Sequence, residues 1–315
     1  MKNSILCLVI LLFSNVVVAQ QIVTPLEPIK IILNNWTSQL TVARIAGSLF
    51  QRQGFAVKYI RLPTAGQWYM LKHNRADVQV EVWQGTMAEK YDQMLKANWL
   101  VDAGTYDAIT REEWWYPEYV EEYCPGLPDW RALKSCFSVF SKPGSQGFGV
   151  YIGGPWEKPD KARVRALGLK FKITNTTTGN QLWEELESAI KDKLPIVLFN
   201  WTPNWVGSIH KGKFVEFPEH SIECETNPQW GINTSFLYDC GNPKAGWLKK
   251  VTSTEFPTKW PCPFEILKNM NFSNAQLEYI STLVDVKKMS YQQSADVWLK
   301  ENQQIWQDWI PKECS

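Results

Sequence analysis

Three short apolar runs along the chain each end near a tryptophan. Polar or turn-forming residues follow that tryptophan. They are residues 29–33 before Asn34-Asn35-Trp36, residues 77–83 ending in Trp83, and residues 196–199 before Asn200-Trp201-Thr202-Pro203. Runs of this kind are typical of strands buried on both faces of a parallel α/β sheet. Pro203 cannot donate to a central strand, which predicts that the third strand stops before Trp201.

Helical patterns separate these runs. Residues 37–53 repeat apolar positions at helical spacing, Thr37 and Ser38 are N-cap candidates, and Gly54 is placed to end the helix. The same pattern predicts a strand at 55–60, helices at 63–73, 86–96 and 182–190, and two terminal helices at 273–283 and 291–309. Alternation of strand and helix predicts an α/β fold built from βαβ units with a largely parallel sheet.

A chain of 315 residues is long enough for two lobes with separate cores. The aromatic segment 112–120 is the expected crossing between lobes, and residues 214–218 are the expected return. We therefore predict one lobe from residues 20–112 and 216–315 and a second lobe from residues 113–215. In open α/β sheets, ligands bind beyond the carboxyl ends of the strands, which is where the tryptophans lie.

The first 19 residues have the organisation of a secretory signal peptide. Lys2 precedes an apolar stretch at 5–13, and Val17-Val18-Ala19 resembles a cleavage site. The apolar run is too short to span a bilayer and is interrupted at Ser14-Asn15. Cleavage after Ala19 would export the protein to a periplasmic or extracellular location.

Charge and cysteine content narrow the possible functions. A net charge of +1 argues against nucleic-acid binding, which needs a basic face. Six cysteines remain after the signal peptide, an even number that suggests disulfides in an exported protein, although six allow 15 connectivities. Pairing by proximity would give Cys124–Cys136, Cys224–Cys240 and Cys262–Cys314. With three histidines and no close Cys-x-x-Cys pair, we expect no metal site, and we expect no cofactor.

Tryptophan is the unusual feature of the composition, with 17 residues. Trp36, Trp83 and Trp201 stand at strand ends, Trp156 follows Gly153-Gly154-Pro155, and the pair Trp115-Tyr116 is a further source of rings. The glycines before Trp156 are expected to permit positive φ and close approach to a ligand. A quaternary ammonium group is a suitable ligand for such a set of rings. It is positively charged but has no N–H that could donate a hydrogen bond to a carboxylate, whereas aromatic faces can surround it.

Residues 29–311 resemble the glycine betaine and choline substrate-binding proteins of ABC transporters. The segments that carry the resemblance are Val80-Glu81-Val82-Trp83, the stretch from Trp115 to Val120, Gly153-Gly154-Pro155-Trp156, the stretch from Asn200 to Trp205, and Ala295-Asp296-Val297-Trp298-Leu299 with Trp309. The resemblance implies a two-lobed periplasmic-binding-protein fold of type II with the ligand in the cleft between lobes. It also implies a cage of Trp36, Trp83, Trp156 and Trp201, with Trp115 or Tyr116 as an extra wall.

The partners that the resemblance implies are a small quaternary ammonium ligand, such as glycine betaine, proline betaine or choline, and the membrane permease of an ABC transporter. We expect a monomer. Two positions depart from the family pattern: Asn204 replaces a histidine that binds the betaine carboxylate in many members, and Ser38 replaces an acidic residue of choline-binding relatives. The start of the helix at Thr37 offers free N–H groups to a carboxylate, which favours a betaine.

The alternatives are a carbohydrate-binding protein and an enzyme. A secreted Trp-rich carbohydrate-binding protein would stack sugars on indole platforms, but such platforms usually lie on β-sandwiches. An enzyme would depend on carboxylate pairs such as Glu112-Glu113, or on Cys136 or Cys224 with His220, and the chain has neither a Gly-x-Ser-x-Gly motif nor a phosphate loop. We therefore expect binding without catalysis.

Overall fold

The computed structural model describes residues 27–156 and 158–314, so the predicted signal peptide lies outside the described residues. The strands are β1 (Ile29–Leu33), β2 (Val57–Arg61), β3 (Val78–Trp83), β4 (Val101–Thr105), β5 (Arg111–Pro117), β6 (Gly149–Gly153), β7 (Phe171–Asn175), β8 (Val197–Thr202), β9 (Gly212–Phe214) and β10 (Leu248–Thr252). The helices are α1 (Thr37–Arg52), α2 (Thr64–Lys72), α3 (Gln84–Lys96), α4 (Leu133–Cys136), α5 (Asp160–Ala166), α6 (Gly179–Lys191), α7 (Val206–Ile209), α8 (Ile222–Thr226), α9 (Phe256–Lys259), α10 (Pro261–Asn269), α11 (Asn274–Asp285), α12 (Tyr291–Glu301) and α13 (Gln303–Gln307).

These strands form two sheets of five strands with the same arrangement. The first has the order β2-β1-β3-β10-β4 and the second the order β7-β6-β8-β5-β9. In each sheet one strand runs opposite to the other four: β10 in the first and β5 in the second. The α/β class and the largely parallel sheets predicted from the sequence are therefore confirmed.

The chain passes between the sheets twice, from β4 to β5 and from β9 to β10. At this crossing the two segments are tied by reciprocal backbone hydrogen bonds between Thr110 and Gly246, with N···O distances of 2.8 and 2.7 Å. The crossing lies near the segments expected to join the lobes, while the exact division of the chain into lobes stays a prediction.

Three details of the predicted elements were wrong. Strand β8 continues through Trp201 to Thr202, because the antiparallel strand β5 pairs Glu112 with Trp201. Trp36, not Thr37 or Ser38, is the N-cap of α1, and its side chain makes no capping hydrogen bond. The predicted last helix is divided at Asn302, whose φ of −117° and ψ of 36° are not helical and whose amide donates to the Trp298 carbonyl at 2.9 Å.

The three disulfides are Cys124–Cys136, Cys224–Cys240 and Cys262–Cys314, which confirms the pairing by proximity. The last of them joins the C-terminal end of the chain to α10. In the part of the chain that the structure describes, none of the helices is both long and apolar enough to cross a membrane.

Candidate ligand-binding site

Four of the predicted tryptophans meet in one cavity between the sheets. Trp36 follows β1 and Trp83 ends β3, so both come from the first sheet. Trp156 follows β6 and Trp201 lies near the end of β8, so both come from the second sheet. The convergence follows from topology, because the carboxyl ends of parallel strands share one edge of each sheet and the two edges face each other.

The space between the protein atoms here is about 300 Å³ when the part open to solvent is included, and the centre of a water molecule could move within about 30 Å³ of it. The described residues that line it are Trp36, Trp83, Thr86, Met87, Glu112, Trp156, Phe199 and Trp201. Trp156 stands edge-on to two of its neighbours: its ring centroid lies 6.4 Å from that of Trp36 at 80° and 5.2 Å from that of Trp201 at 85°. The walls are thus aromatic faces set at steep angles, an arrangement that encloses a compact, rounded group.

The position of Trp156 depends on both sheets. Its indole Nε1 donates to Asn35 Oδ1 at 2.7 Å, a contact from the segment after β6 to the segment after β1. Gly154 makes room for this ring, since a Cβ there would lie 2.1 Å from the indole. Neither Gly153 nor Gly154 has a positive φ, so the turn does not use the conformation that glycine would permit there. The small size of Gly154 serves the packing of Trp156, whereas a Cβ at Gly153 would lie 2.3 Å from Asn175 Oδ1.

Glu81 lies directly behind two of the indoles. Its Oε2 accepts hydrogen bonds from Trp36 Nε1 at 2.6 Å, Trp83 Nε1 at 2.9 Å and Ser38 Oγ at 2.9 Å. The side chain is fully buried, and burial raises the pKa of its carboxyl to about 7 against the lowering effect of the three donors. One oxygen atom therefore fixes the planes of two cage walls.

A buried network of side-chain amides is hydrogen-bonded to the backbone of Glu81. Gln79 Oε1 accepts from the Glu81 backbone N–H at 3.1 Å and from Gln39 Nε2 at 3.0 Å. Gln79 Nε2 in turn donates to Asn34 Oδ1 at 2.6 Å and also to Gln67 Oε1. Because these amides satisfy one another, β3 can carry polar side chains inward without leaving Gln79 unpaired.

Glu112 is the acidic residue in the cavity wall itself. Thr86 Oγ1 donates to its Oε1 at 2.9 Å, and its Oε2 has no hydrogen-bond partner among the described residues. Burial raises the pKa of the Glu112 carboxyl to about 7, opposed by the Thr86 hydroxyl, by Lys158 and by backbone N–H groups at the start of α3. Near neutral pH this carboxyl group can therefore either donate or accept a hydrogen bond.

One basic side chain, Lys158, packs against the wall residue Phe199. The ammonium of Lys158 is 3.2 Å from the centroid of the Phe199 ring and 3.4 Å from Asp160 Oδ2. Burial lowers the pKa of Lys158, and Asp160 opposes that effect. Among the described residues that line the cavity there is no lysine, arginine or histidine, so the lining offers no cation to a ligand carboxylate.

The other predicted site residues are placed elsewhere. The structure does not bring Trp115 or Tyr116 to the described lining: the Trp115 ring lies against Gly212, and the Tyr116 hydroxyl donates to Glu121 Oε1 at 2.9 Å. The Ser38 hydroxyl donates to Glu81, as described above. The Asn204 side chain is turned to Asn200, donating to its Oδ1 at 2.7 Å.

Sequence reasoning missed four kinds of lining or supporting residue: Phe199, the pair Thr86 and Met87, Glu112, and Glu81. Two of these had a signal in the sequence. Phe199 and Trp201, like Glu81 and Trp83, are two residues apart on one strand and therefore share a face. An acidic residue in the middle of a fully buried strand was also a sign of a functional position.

Two sheets of matching order joined by two crossing segments, with a cavity between them, define a two-lobed solute-binding protein. A family model described as the substrate-binding domain of ABC-type glycine betaine transport systems matches residues 27–301. The chain belongs to this family.

One relative, a trimethylamine N-oxide-binding protein of Pelagibacter ubique (strain HTCC1062), is 32% identical over 289 residues, which cover 89% of this chain and 90% of the relative. Two solved structures are similar in fold. A choline-binding protein of an ABC transporter, in complex with choline, has a TM-score of 0.72 at 14% identity and covers 91% of this chain and 93% of its own. The glycine betaine and L-proline-binding protein of Borrelia burgdorferi has a TM-score of 0.73 at 17% identity and covers 91% and 98%. These likenesses confirm the predicted two-lobed fold.

Proposed function

We propose that this chain is an exported binding protein, periplasmic or extracellular, that captures trimethylamine N-oxide and delivers it to the permease of an ABC transporter. The observation that carries the proposal is the combination of four indoles with one acidic wall residue, Glu112, in a single cavity. Family membership and the identity to a trimethylamine N-oxide-binding relative support it.

The aromatic walls account for recognition of the trimethylammonium part. Each face contributes about 0.5–2 kcal/mol to the binding of a cation, so three or four faces supply about 1.5–8 kcal/mol. Burial of the methyl groups adds to this, toward the ~8 kcal/mol that micromolar affinity requires. The four tryptophans are each less than 10% exposed, so water is already largely excluded from them.

The polar end of the ligand decides among the candidates. A betaine carboxylate would enter a lining whose described residues include Glu112 but no basic side chain, and Asn204, at the position of the expected carboxylate partner, is bonded to Asn200. Burying an anion without a cation or donors is costly. The oxygen of trimethylamine N-oxide needs only a hydrogen-bond donor, which Glu112 provides when protonated. Choline is the second candidate, because its hydroxyl could donate to ionised Glu112.

The proposal is tested by calorimetric titration with trimethylamine N-oxide, choline, glycine betaine and proline betaine. We expect trimethylamine N-oxide to bind most tightly and the two betaines most weakly. Trp201→Ala should weaken binding more than tenfold, because it removes a whole wall. Trp230→Ala is the matched control, since Trp230 is 41% exposed and does not belong to the described lining. Absence of binding by every trimethylated compound would overturn the proposal.

A further inference from the structure

Glu81 is a buried acid without a basic partner. Its side chain is fully buried, it forms no ion pair in the described part of the chain, and its Oε1 has no hydrogen-bond partner there. Glu113, also buried, shows how this protein otherwise neutralises such a group: its Oε1 is 2.6 Å from the Arg163 guanidinium. A buried carboxylate with no counter-ion is costly unless something else compensates its charge.

The three hydrogen bonds to Glu81 connect its charge to the cage. Trp36 and Trp83 donate through their indole N–H groups to one oxygen, Oε2, so the carboxylate lies at the N–H edge of two indoles that line the cavity. A negative charge at the N–H edge increases the electron density of the ring, and it attracts a cation on the ring face through a medium from which water is excluded.

We propose that Glu81 is the counter-charge of the cage: it orients Trp36 and Trp83 and, when ionised, selects a positively charged head over a neutral group of the same shape. The proposal rests on the proposed function, because it assumes that the cavity binds a trimethylammonium head. It assigns to Glu81 a positioning and specificity role that does not require contact with the ligand.

The test compares charged and neutral probes of equal shape. Choline is paired with 3,3-dimethylbutan-1-ol, in which carbon replaces the nitrogen, and tetramethylammonium serves as a cation without oxygen. Glu81→Gln retains an oxygen that can accept from the indoles but removes the charge. We expect it to weaken binding of choline and tetramethylammonium about tenfold or more, and to change binding of the neutral alcohol less than threefold.

Two outcomes would overturn this inference. An equal loss for charged and neutral probes would show that Glu81 is only a structural support, and an unchanged affinity for all probes would show that it has no role. Glu122→Gln is the control, because it makes the same substitution at an exposed glutamate outside the described lining, and cation binding should change less than threefold. If the unaltered protein binds no cationic probe at all, the proposed function itself fails, which is a different result.

A second measurement does not depend on the folding of Glu81→Gln. In a Glu112→Gln background, tetramethylammonium should favour ionised Glu81, so binding at pH 6–7 should release protons; calorimetry in two buffers of different ionisation enthalpy counts them. The other titratable group whose charge couples to Glu81 is Tyr106, whose pKa burial raises well above its usual value, so it stays neutral here. Proton release of zero would contradict the proposal.

Discussion

The protonation of Glu112 should set how affinity for trimethylamine N-oxide depends on pH. Burial raises the pKa of this carboxyl group to about 7, and its Oε2 has no hydrogen-bond partner among the described residues. The ligand oxygen accepts hydrogen bonds but cannot donate one, so only protonated Glu112 can bond to it. Ionised Glu112 would instead place a negative charge against a negative oxygen.

The magnitude follows from the protonated fraction. With a pKa of about 7 in the empty protein, the fraction of protonated Glu112 falls about tenfold between pH 6 and pH 8. Affinity that requires the proton should fall by the same factor, about 1.4 kcal/mol of binding free energy. The sign is opposite for choline, whose hydroxyl donates and whose charge favours the ionised acid, so its affinity should rise over the same range.

The assay is calorimetric titration of both ligands at pH 6, 7 and 8 with the unaltered protein and with Glu112→Gln. Glutamine keeps an N–H donor but does not titrate, so it should bind trimethylamine N-oxide without the tenfold fall. For each ligand, the affinity of the unaltered protein is divided by that of Glu112→Gln at the same pH. Glu81 is intact in both proteins, so its contribution cancels in this ratio. Lys158 is the charged group that most affects Glu112, and it too is unchanged. A ratio independent of pH would refute the reasoning.

Two further predictions concern cage closure and stability. Asn35→Ala removes the acceptor that lies 2.7 Å from the Trp156 indole N–H. Asn35 is exposed and the contact is part-buried, so we use the contribution of an ordinary hydrogen bond, about 0.5–1.5 kcal/mol; titration should show affinity roughly 2- to 13-fold lower, whereas Ala at exposed Asn180 should leave it unchanged. Serine at both Cys262 and Cys314 opens a loop with a sequence separation of 52 residues, which should lower the free energy of unfolding by about 3–4 kcal/mol in denaturant titrations. Affinity should be unchanged there, because neither cysteine belongs to the described lining; stability equal to that of the unaltered protein would contradict the expectation.

Strand ends could be predicted from sequence because they depend on local patterns. The apolar runs before Trp36 and Trp83 are continuous, and parallel topology then places their carboxyl ends together. The end of β8 could not be predicted in this way, because it depends on pairing of Trp201 with Glu112, a residue 89 positions earlier in the chain. The density of aromatic residues in β5 was also misleading, because it predicted Trp115 or Tyr116 as an extra wall of the cage. Trp115 faces the opposite side of β5 from Glu112, and Tyr116 lies about 13 Å further along the strand.

The supporting acids were the harder part of the site to predict. A glutamate in sequence carries no mark of burial, and only the structure shows that Glu112 lies in the cavity wall with Thr86 donating to it. The position of Glu81 in a buried strand could indicate a functional residue. Its role, however, depends on the indoles that donate to it, which lie 45 residues earlier and two residues later in the chain. These distances are set by the fold, not by local spacing.

Glu81 and Glu112 have a pKa near 7 for the same reason, burial, yet their contacts give them different capacities. Oε2 of Glu81 is saturated by three donors behind the rings, so what it can offer the cavity is charge. Glu112 lies in the wall with one oxygen unpaired, so what it can offer is a hydrogen bond. In a ligand whose oxygen is attached directly to a trimethylated nitrogen, the positive charge and the hydrogen-bond acceptor are one bond length apart. Such a ligand would use both acids at once, whereas a betaine would need a basic group that the described lining does not contain.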